Sequence, residues 1–216
     1  MRIALFGPPG VGKGTQAGLI VQRKHIVQIS TGNLIRAAMA EGTQAGLAAE
    51  SFVVAGRLVP DEIVRVLAED AIALHGFDDF VLDGYPRTVR QAEWLTDFLL
   101  GHEKPLEAVV SLVVADDQIV DRLSRRRVHR TTGEVFHLDF RPPPVDLDPT
   151  LLTQRRDDHP EAIRERLRVY TEQTNPVEQY YADLGLLHRV DGVGDVEEIY
   201  SRVAEVVSLA CTNRVA

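Results

Sequence analysis

The chain has 216 residues, of which 44% are hydrophobic, and a formal net charge of -8 at pH 7. This acidic balance argues against a nucleic-acid-binding protein, which normally carries an excess of positive charge, and no apolar run reaches membrane-spanning length. With a single cysteine, Cys211, the sequence offers neither a disulfide framework nor a cysteine zinc site. The N-terminus has no signal-peptide pattern, so we expect a cytoplasmic protein.

Short apolar runs alternate with helical patterns along the chain. The predicted strands are 3–6, 26–29, 80–82, 108–114 and 187–190, and the predicted helices are 13–23, 61–74, 88–100, 116–125 and 160–184. Several of the strands are apolar nearly throughout, as strands covered on both faces are. The alternation therefore predicts a doubly wound α/β fold with a parallel sheet of about five strands.

A glycine-rich segment lies between the first predicted strand and the first predicted helix. It fits the pattern G-x-x-x-x-G-K-[ST] at Gly7, Gly12 and Lys13, although Gly14 follows the lysine and Thr15 comes one place late. Glycines let backbone N–H groups approach phosphate oxygens closely, and the start of a helix favours negative charge. Because Lys13 can also reach the β- and γ-phosphates, this segment predicts a nucleotide site.

Two segments interrupt the alternation. Residues 30–59 predict small helices and no strand, whereas 125–158 contain the turn signal Thr132-Gly133 followed by an alternating pattern over 135–140. We expect 125–158 to form a short β-rich module. The first segment follows a predicted strand, and the second lies between two predicted helices. Insertions at the carboxyl ends of parallel strands lie where such sheets bind ligands, so both segments are candidate flaps over a site.

An aspartate, Asp83, directly follows the apolar run 80–82 of the third predicted strand. A carboxylate at the tip of a buried strand beside a phosphate loop is well placed to act on Mg²⁺, directly or through water. The alternative interpretation is that Asp83 caps the following helix.

Four groups of residues occur in the order and at the spacing found in adenylate kinases. They are Gly7, Pro9, Gly10, Gly12, Lys13, Gly14 and Thr15; Ser30, Thr31, Gly32 and Arg36; Asp83 to Arg87 with Gln91; and Arg155, Asp157 and Asp158. The match covers essentially the whole chain. The sequence therefore closely resembles the adenylate kinase family, in its bacterial-type form with a long lid and without the zinc cysteines.

This resemblance implies the P-loop nucleoside monophosphate kinase fold, with a five-stranded parallel sheet flanked by helices. It divides the chain into a core domain (1–29, 60–124 and 159–216), a helical AMP-binding insertion (30–59) and a β-rich lid (125–158). It also implies a monomer whose partners are ATP, AMP and ADP.

The implied reaction is the reversible transfer of the γ-phosphoryl group of MgATP to AMP, which gives two ADP and balances the adenine nucleotides of the cell. The residues agree with this chemistry. The attacking phosphate of AMP is already largely an anion at neutral pH, so no general base is needed. Catalysis then depends on positioning and on positive charge around the phosphates.

A surface arginine alone is more often a solvated charge, so the site residues are assigned by their match to the family. The implied catalytic residues are Lys13, Arg87, Arg126, Arg155 and Arg166. The implied ATP site contains Gly10, Val11, Gly12, Lys13, Gly14, Thr15, Arg122, Arg126, Val135, Phe136 and Gly194. The implied AMP site contains Thr31, Arg36, Arg57, Leu58, Val59, Gly84, Tyr85, Pro86, Arg87, Gln91, Arg155 and Arg166, and Asp83 is implied to act on Mg²⁺ through water.

Some assignments have alternatives. Asp157 and Asp158 either cap the helix that begins at Pro160 or pair with lid arginines. The four-residue spacing of Arg122 and Arg126 predicts that they share one helix face if that helix continues.

One position differs from the family pattern. Family members usually have an aspartate where this chain has Asn33.

The lid is expected to hold a polar network instead of zinc. His129 and Thr132 match positions of zinc-free lids, and their candidate partners are Asp146, Asp148 and Thr150. Without thiolates and with few histidines, a metal site in this segment is not expected.

Two other functions are compatible with the same loop. A UMP or CMP kinase resembles this chain, but Thr31, Gln91 and the long lid favour AMP. A nucleotide-binding regulatory protein without turnover is disfavoured because Lys13 and the arginines are all present. The choice between ATP and GTP as donor stays open.

Overall fold

The computed structural model describes residues 1–212, apart from the side chains at 116–117 and 211–212, so the side chain of Cys211 lies outside the described part. The strands are β1 (Arg2–Phe6), β2 (Val27–Ser30), β3 (Phe80–Asp83), β4 (Ala108–Val113), β5 (Arg126–His129), β6 (Val135–His137), β7 (Leu152–Thr153) and β8 (Leu187–Asp191). The helices are α1 (Lys13–Lys24), α2 (Thr31–Ala40), α3 (Gln44–Val54), α4 (Asp61–Leu74), α5 (Val89–Gly101), α6 (Asp116–Ser124), α7 (Pro160–Val169), α8 (Asn175–Asp183) and α9 (Val196–Thr212).

A five-stranded parallel sheet forms the centre of the fold, in the order β2-β3-β1-β4-β8. Its central strands carry almost only apolar side chains, because each face of the sheet packs against a separate hydrophobic cluster. Leu82 and Val109 lie in one cluster, and Val81 and Val110 lie in the other. The α/β class and the five parallel strands predicted from the alternation are confirmed.

The strand register places the chemistry-bearing residues at one edge of this sheet. Asp83 at the end of β3 pairs with Leu5 of β1 on one side and with Ser30 of β2 on the other. The glycine-rich loop follows β1 directly, and α2 follows β2 without an intervening loop. Parallel strands thus bring the loop, the aspartate and the start of α2 to the same carboxyl edge.

The two interrupting segments have different structures. Residues 30–59 contain α2 and α3. Within 125–158, β5 pairs antiparallel with β6 and β7 to make a three-stranded sheet in the order β6-β5-β7. The alternation over 135–140 yields a strand only to His137, because Asp139 and Phe140 form a turn in which their backbone N–H groups donate to the His137 ring.

The shared helix face of Arg122 and Arg126 depended on the helix continuing to Arg126, and it does not. The helix α6 ends at Ser124, and Arg125 has dihedrals of φ -95 and ψ 1 that turn the chain out of the helix. Arg126 then lies on β5, where it pairs with His137. The β-rich segment predicted from residue 125 thus begins almost directly after α6.

The helix predicted over 160–184 is interrupted by a π-helical segment, Tyr170–Thr174, between α7 and α8. The Asn175 N–H donates to the Tyr170 carbonyl, five residues back. Pro176 at the start of α8 has no N–H for the regular helical ladder, which accounts for the widened turn before it. Within residues 1–212, none of the helices combines the length and the apolar character that a bilayer crossing requires.

Candidate active site

The glycine-rich loop after β1 is shaped by close backbone contacts. Gly7 has φ +126, and a Cβ atom there would lie 2.5 Å from the carbonyl oxygen of Leu112 on β4. At Gly10, with φ +85, a Cβ would lie 2.7 Å from the Leu123 side chain. Only glycine fits both positions, so the sequence dictates a loop that wraps tightly around the start of α1.

The lysine of this loop is turned back onto it. The Lys13 ammonium donates to the carbonyl oxygens of Gly7 at 2.6 Å and Pro8 at 2.9 Å. Burial lowers the pKa of Lys13 to about 7, against the attraction of Asp83, which raises it, and Arg87 and nearby arginines lower it further. The loop therefore offers a cation whose charge is not yet matched by a strong anion.

A cavity of about 560 Å³ opens above this loop. It is lined by every residue of the implied ATP site: Gly10, Val11, Gly12, Lys13, Gly14, Thr15, Arg122, Arg126, Val135, Phe136 and Gly194. Positively charged side chains outnumber carboxylates along its walls. Such a cavity suits a large polyanion with one apolar end.

The segment 125–158 forms an apolar part of the cavity wall, which could bind the apolar end of such a ligand. Val135 and the buried Phe136 on β6 line the cavity, and so does Phe140, whose ring centre lies 5.9 Å from the Arg122 guanidinium. Arg122 also donates to the Val11 carbonyl oxygen at 3.3 Å. A flat aromatic group can bind between such side chains by stacking on the guanidinium or on a ring.

Asp83 lies on the floor of the same cavity. Its Oδ2 atom accepts from Gln28 Nε2 at 3.2 Å and from Ser30 Oγ at 3.5 Å. Both partners also line the cavity. Mg²⁺ prefers oxygen ligands and usually keeps several waters, and the carboxylate of Asp83 can accept hydrogen bonds from such waters, so Asp83 fits the hydrated ion.

Two arginines flank the end of β3. Arg87 Nε donates to the Gly84 carbonyl at 2.8 Å, and Arg36 Nη2 donates to Asn33 Oδ1 at 2.7 Å. Burial is the main cause that lowers the pKa of each guanidinium, and repulsion from other arginines lowers it further. Each arginine uses a neutral oxygen as its hydrogen-bond partner here, so its positive charge remains available to an anion.

Two further arginines are paired with the adjacent aspartates. Arg126 donates to both oxygens of Asp158, at 2.8 and 2.5 Å, and Arg166 Nη1 donates to Asp157 Oδ2 at 2.8 Å. The residue that caps α7 is His159, without a side-chain hydrogen bond. Of the two interpretations, pairing with a lid arginine holds for Asp158, whose partner is Arg126, whereas Asp157 pairs with Arg166 of α7, outside the segment 125–158.

Arg155 completes the group of cations around the large cavity. Burial lowers the pKa of Arg155 to about 9, and repulsion from Arg126 and Arg36 contributes to this shift. Its guanidinium remains charged at pH 7. An incoming polyphosphate would relieve this crowding of positive charge, which makes the large cavity a strong anion site.

A second cavity of about 80 Å³ adjoins the first, since Arg36, Leu58, Arg87 and Arg166 line both. The residues of the implied AMP site that line it are Thr31, Arg36, Arg57, Leu58, Val59, Arg87, Gln91 and Arg166. Thr31 Oγ1 donates to the Gly84 carbonyl at 2.9 Å. The small cavity thus combines apolar walls with arginines at its junction with the large one.

The structure does not bring Tyr85 to either cavity. Its side chain is 1% exposed and lies in the hydrophobic core, whereas its neighbours Gly84 and Pro86 line the large cavity. The Tyr85-Pro86 peptide bond is cis. Tyr85 contacts the core while its backbone forms part of the turn that carries Arg87.

The polar groups of the segment 125–158 form two local arrangements. The His129 ring accepts from the backbone N–H groups of Thr131 and Thr132, at 3.2 and 3.1 Å. Thr150 donates to Asp148 through both its hydroxyl and its backbone N–H, at 2.8 Å each. Among the described residues, no group of three or more His, Cys, Asp or Glu side chains is placed to hold a metal ion.

Sequence reasoning missed several residues that line the large cavity. Gln28 and Tyr170 come from β2 and from the π-helical segment, and Phe140 and Arg141 come from the turn after β6. Gln28 lies on a strand whose pattern predicts only burial, and the π-helical segment has no simple sequence signal. Only Phe140, within the alternating run 135–140, had a signal that could have identified it.

Comparison with known proteins yields a consistent family. The model of the family described as adenylate kinase matches residues 5–186. An adenylate kinase of Salinibacter ruber (strain DSM 13855 / M31) is 58% identical over 207 residues, which cover 96% of this chain and 98% of that protein. Adenylate kinases of Pelobacter propionicus and Chloroherpeton thalassium are 46% identical (96% of each chain) and 41% identical (97% and 99%).

Proposed function

The chain belongs to the adenylate kinase family, and we propose that its two adjoining cavities are the ATP and AMP sites of that enzyme. It catalyses the reversible transfer of a phosphoryl group from ATP to AMP, which gives two ADP and keeps the adenine nucleotides in balance. The observation that carries the assignment of the sites is the junction of the cavities, where arginines line both.

In this proposal the large cavity takes ATP. Its volume and cationic walls suit a triphosphate, and the backbone of the glycine-rich loop and Lys13 would bind the phosphates. The adenine would lie near Phe136 and Arg122, where ring stacking and the guanidinium face are available. ATP would draw the Lys13 ammonium away from the Gly7 and Pro8 carbonyls, because phosphate oxygens are stronger acceptors.

The small cavity takes AMP. Thr31, Val59 and Gln91 would surround the base, and Arg36 and Arg87 would bind the phosphate at the junction. With the two substrates in adjoining cavities, the phosphate of AMP would face the γ-phosphate of ATP. Positioning of this kind supplies a large part of the barrier reduction in phosphoryl transfer.

The arginines at the junction would stabilise the charge of the reacting phosphates. Arg126 and Arg166 are paired with Asp158 and Asp157, and Arg155 lacks such a close carboxylate partner among the described ion pairs. We infer that substrate phosphates compete with the aspartates for the first two arginines and bind the third directly. Bidentate arginine–phosphate contacts are strong and directional, so they would also align the substrates.

Adenylate kinases use Mg²⁺ together with ATP, and we propose that Asp83 holds the hydrated ion, with Gln28 and Ser30 beside it. When bound, Mg²⁺ neutralises part of the phosphate charge. The carboxylate of Asp83 would accept hydrogen bonds from the water ligands of the ion, which keeps the ion on the phosphate side of the sheet edge.

We also propose the division into a core (1–29, 60–124 and 159–216), an AMP-binding segment (30–59) and a lid (125–158). Residues of the lid line the large cavity, and residues of the AMP-binding segment line the small one. Closure of both segments over the substrates would exclude water and prevent hydrolysis of ATP. We also propose a cytoplasmic location and a monomer; residues of one chain line both cavities, which supports the monomer.

The test of the two sites is a pair of variants, each of which is expected to raise the KM for one substrate only. Arg122→Ala removes a residue of the large cavity alone and should raise the KM for ATP without changing the KM for AMP. Thr31→Val removes a hydroxyl of the small cavity alone and should raise the KM for AMP without changing the KM for ATP. Arg164→Ala, an exposed residue of α7, is the control. Equal changes in both KM values for each variant would contradict separate sites.

A further inference from the structure

The side-chain amide of Gln91 is held from two sides. Gln91 is 1% exposed; its Oε1 atom accepts from the Arg87 backbone N–H at 2.8 Å, and its Nε2 atom donates to Asp61 Oδ1 at 2.7 Å. The two ends of a carboxamide differ, since one accepts and the other donates. Turning the amide over would point its N–H groups at the Arg87 N–H and its oxygen at the Asp61 carboxylate, so the surroundings permit one orientation.

Asp61 is well placed to fix this orientation. It is the first residue of α4, and its second oxygen, Oδ2, accepts from Thr88 Oγ1 at 2.9 Å. Thr88 in turn caps α5 by accepting from the Gln91 N–H at 3.2 Å. Asp61, Thr88 and Gln91 thus form a closed ring of hydrogen bonds between the first turns of α4 and α5. Gln91 lines the small cavity, whereas Asp61 lies behind it.

The fixed amide has a defined remaining capacity. After its bonds to Arg87 and Asp61, Gln91 keeps one N–H to donate and one lone pair to accept. Because the amide is fixed, its acceptor oxygen and its donor N–H are presented to a bound purine in one order only. Adenine presents an amino donor next to a ring acceptor on its Watson–Crick edge, whereas a 6-oxo purine presents an acceptor next to a ring N–H. A freely turning amide could pair with either base, and a fixed amide pairs with one.

We propose that Asp61 is a positioning residue that determines specificity: by fixing the Gln91 amide, it makes the small cavity accept a 6-amino purine monophosphate and reject a 6-oxo one. This inference rests on the proposed function, in which the small cavity takes AMP. Asp61 acts through Gln91 and contacts no substrate. The carboxylate of Asp61 fixes the amide because an ionised carboxylate can only accept hydrogen bonds. An asparagine at the same place could accept from, or donate to, either end of Gln91.

The experiment measures kcat/KM for AMP and for IMP at saturating ATP, with formation of ADP and IDP followed by chromatography. In Asp61→Asn the ratio of the AMP value to the IMP value should fall at least fivefold, while the KM for ATP stays at the wild-type value. The matched control is Glu62→Gln, which removes the next carboxylate of the same helical turn. Glu62 is exposed and paired with Arg90, so its ratio should not change.

Asp61 also stabilises α4 through its position in the first turn, and the experiment separates this structural role from the effect on specificity. A purely structural role would lower the AMP and IMP values in parallel and leave their ratio unchanged, and this result would overturn the inference. The variant Gln91→Leu separates the reading of the base by Gln91 from the positioning of Gln91 by Asp61. If Gln91→Leu keeps the wild-type ratio, Gln91 does not read the base, and the proposed AMP site fails together with the inference.

A measurement on the wild-type chain covers the case in which Asp61→Asn fails to fold. Nuclear magnetic resonance can detect a coupling across the hydrogen bond from Gln91 Nε2 to the Asp61 carboxylate carbon. We expect this coupling in the complex with AMP. If AMP binds and the coupling is absent, the amide is not fixed by Asp61 and the inference is wrong.

Discussion

The Arg126 guanidinium donates two hydrogen bonds to the carboxylate of Asp158, at 2.8 and 2.5 Å. The Asp158 side chain is fully buried, and Arg166 Nη1 approaches its Oδ1 atom at 3.4 Å as well. Asp158 is therefore the close partner of Arg126 and a second, more distant partner of Arg166, which pairs closely with Asp157. The pairing explains how this concentration of positive charge folds before any nucleotide is bound.

This pairing predicts the effect of Asp158→Asn. Removing one partner of a buried ion pair costs about 3–5 kcal/mol, so the free energy of unfolding should fall by about 3 kcal/mol. Saturating ATP should restore part of the loss, because phosphate groups replace the missing negative charge. Urea denaturation with and without ATP measures both effects. Asp146→Asn, in an exposed loop, is the control, and an equal loss with and without ATP would contradict the account.

Lys13 predicts a linkage between ATP binding and protonation. Burial lowers its pKa to about 7, so in nucleotide-free protein at pH 8.5 most of the lysine is neutral. A triphosphate restores the charged form. ATP binding at pH 8.5 should therefore take up about one proton, and the uptake should shrink as the pH falls below 7.

Calorimetric titrations in buffers of different ionisation enthalpy measure this uptake, with Lys13→Met as the variant that should lack it. The same shift acts on stability. Since the unfolded chain binds more protons between pH 7 and the ordinary lysine pKa, the stability of the nucleotide-free protein should rise with pH across that window. Wild-type protein that takes up no proton at pH 8.5 would show that Lys13 is already charged.

Arg87 lines both cavities, so its loss should affect the reaction itself. Replacing a bidentate phosphate contact should cost about 2–4 kcal/mol of transition-state stabilisation, and Arg87→Ala should lower kcat at least a hundredfold. The fold should persist, as judged by circular dichroism. Arg90→Ala is the matched control, since Arg90 is exposed, pairs with Glu62 and packs on Trp94. Near-normal turnover in Arg87→Ala would refute the role.

Asn33 influences Arg36 through a neutral contact, since its Oδ1 atom accepts from Arg36 Nη2 at 2.7 Å. An aspartate in its place would pair with Arg36 by charge and compete with the phosphate of AMP. We expect Asn33→Asp to raise the KM for AMP several-fold and to leave the KM for ATP unchanged. Steady-state kinetics with each substrate varied in turn decide the matter, and an unchanged KM for AMP would remove any special role for Asn33.

The parts of the fold that follow local patterns could be predicted from the sequence. The apolar runs ending at Phe6 and Leu82 indicated the sheet, because strands buried on both faces are apolar nearly throughout. The glycines between β1 and α1 indicated the loop, because close backbone contacts exclude other residues there. Interactions between distant segments could not be predicted. The pairing of Arg126 with His137 across two strands is one of them, since neither residue carries a local signal for its partner.

The candidate site likewise has features that the sequence indicated and features that only the structure shows. The chain pattern indicated which arginines to consider, and the structure gathers Arg87, Arg155 and Arg166 at one cavity. Hydrogen bonds between segments had no local signal: Gln91 is 30 residues from Asp61, and only the packing of α4 against α5 brings them together. Tyr85 lies inside a matching motif, yet its side chain faces the core, and the motif carries no signal for this orientation.

The most direct test of the account is diphosphate formation by the purified chain from MgATP and, separately, AMP, UMP, CMP and GMP. We expect rapid formation of ADP with AMP and far slower turnover with the other acceptors, because Thr31 and Gln91 line the small cavity, where the proposed site would place the base. Preference for UMP or CMP would contradict the assignment of this cavity to AMP. Absence of turnover with every acceptor would contradict the catalytic account as a whole.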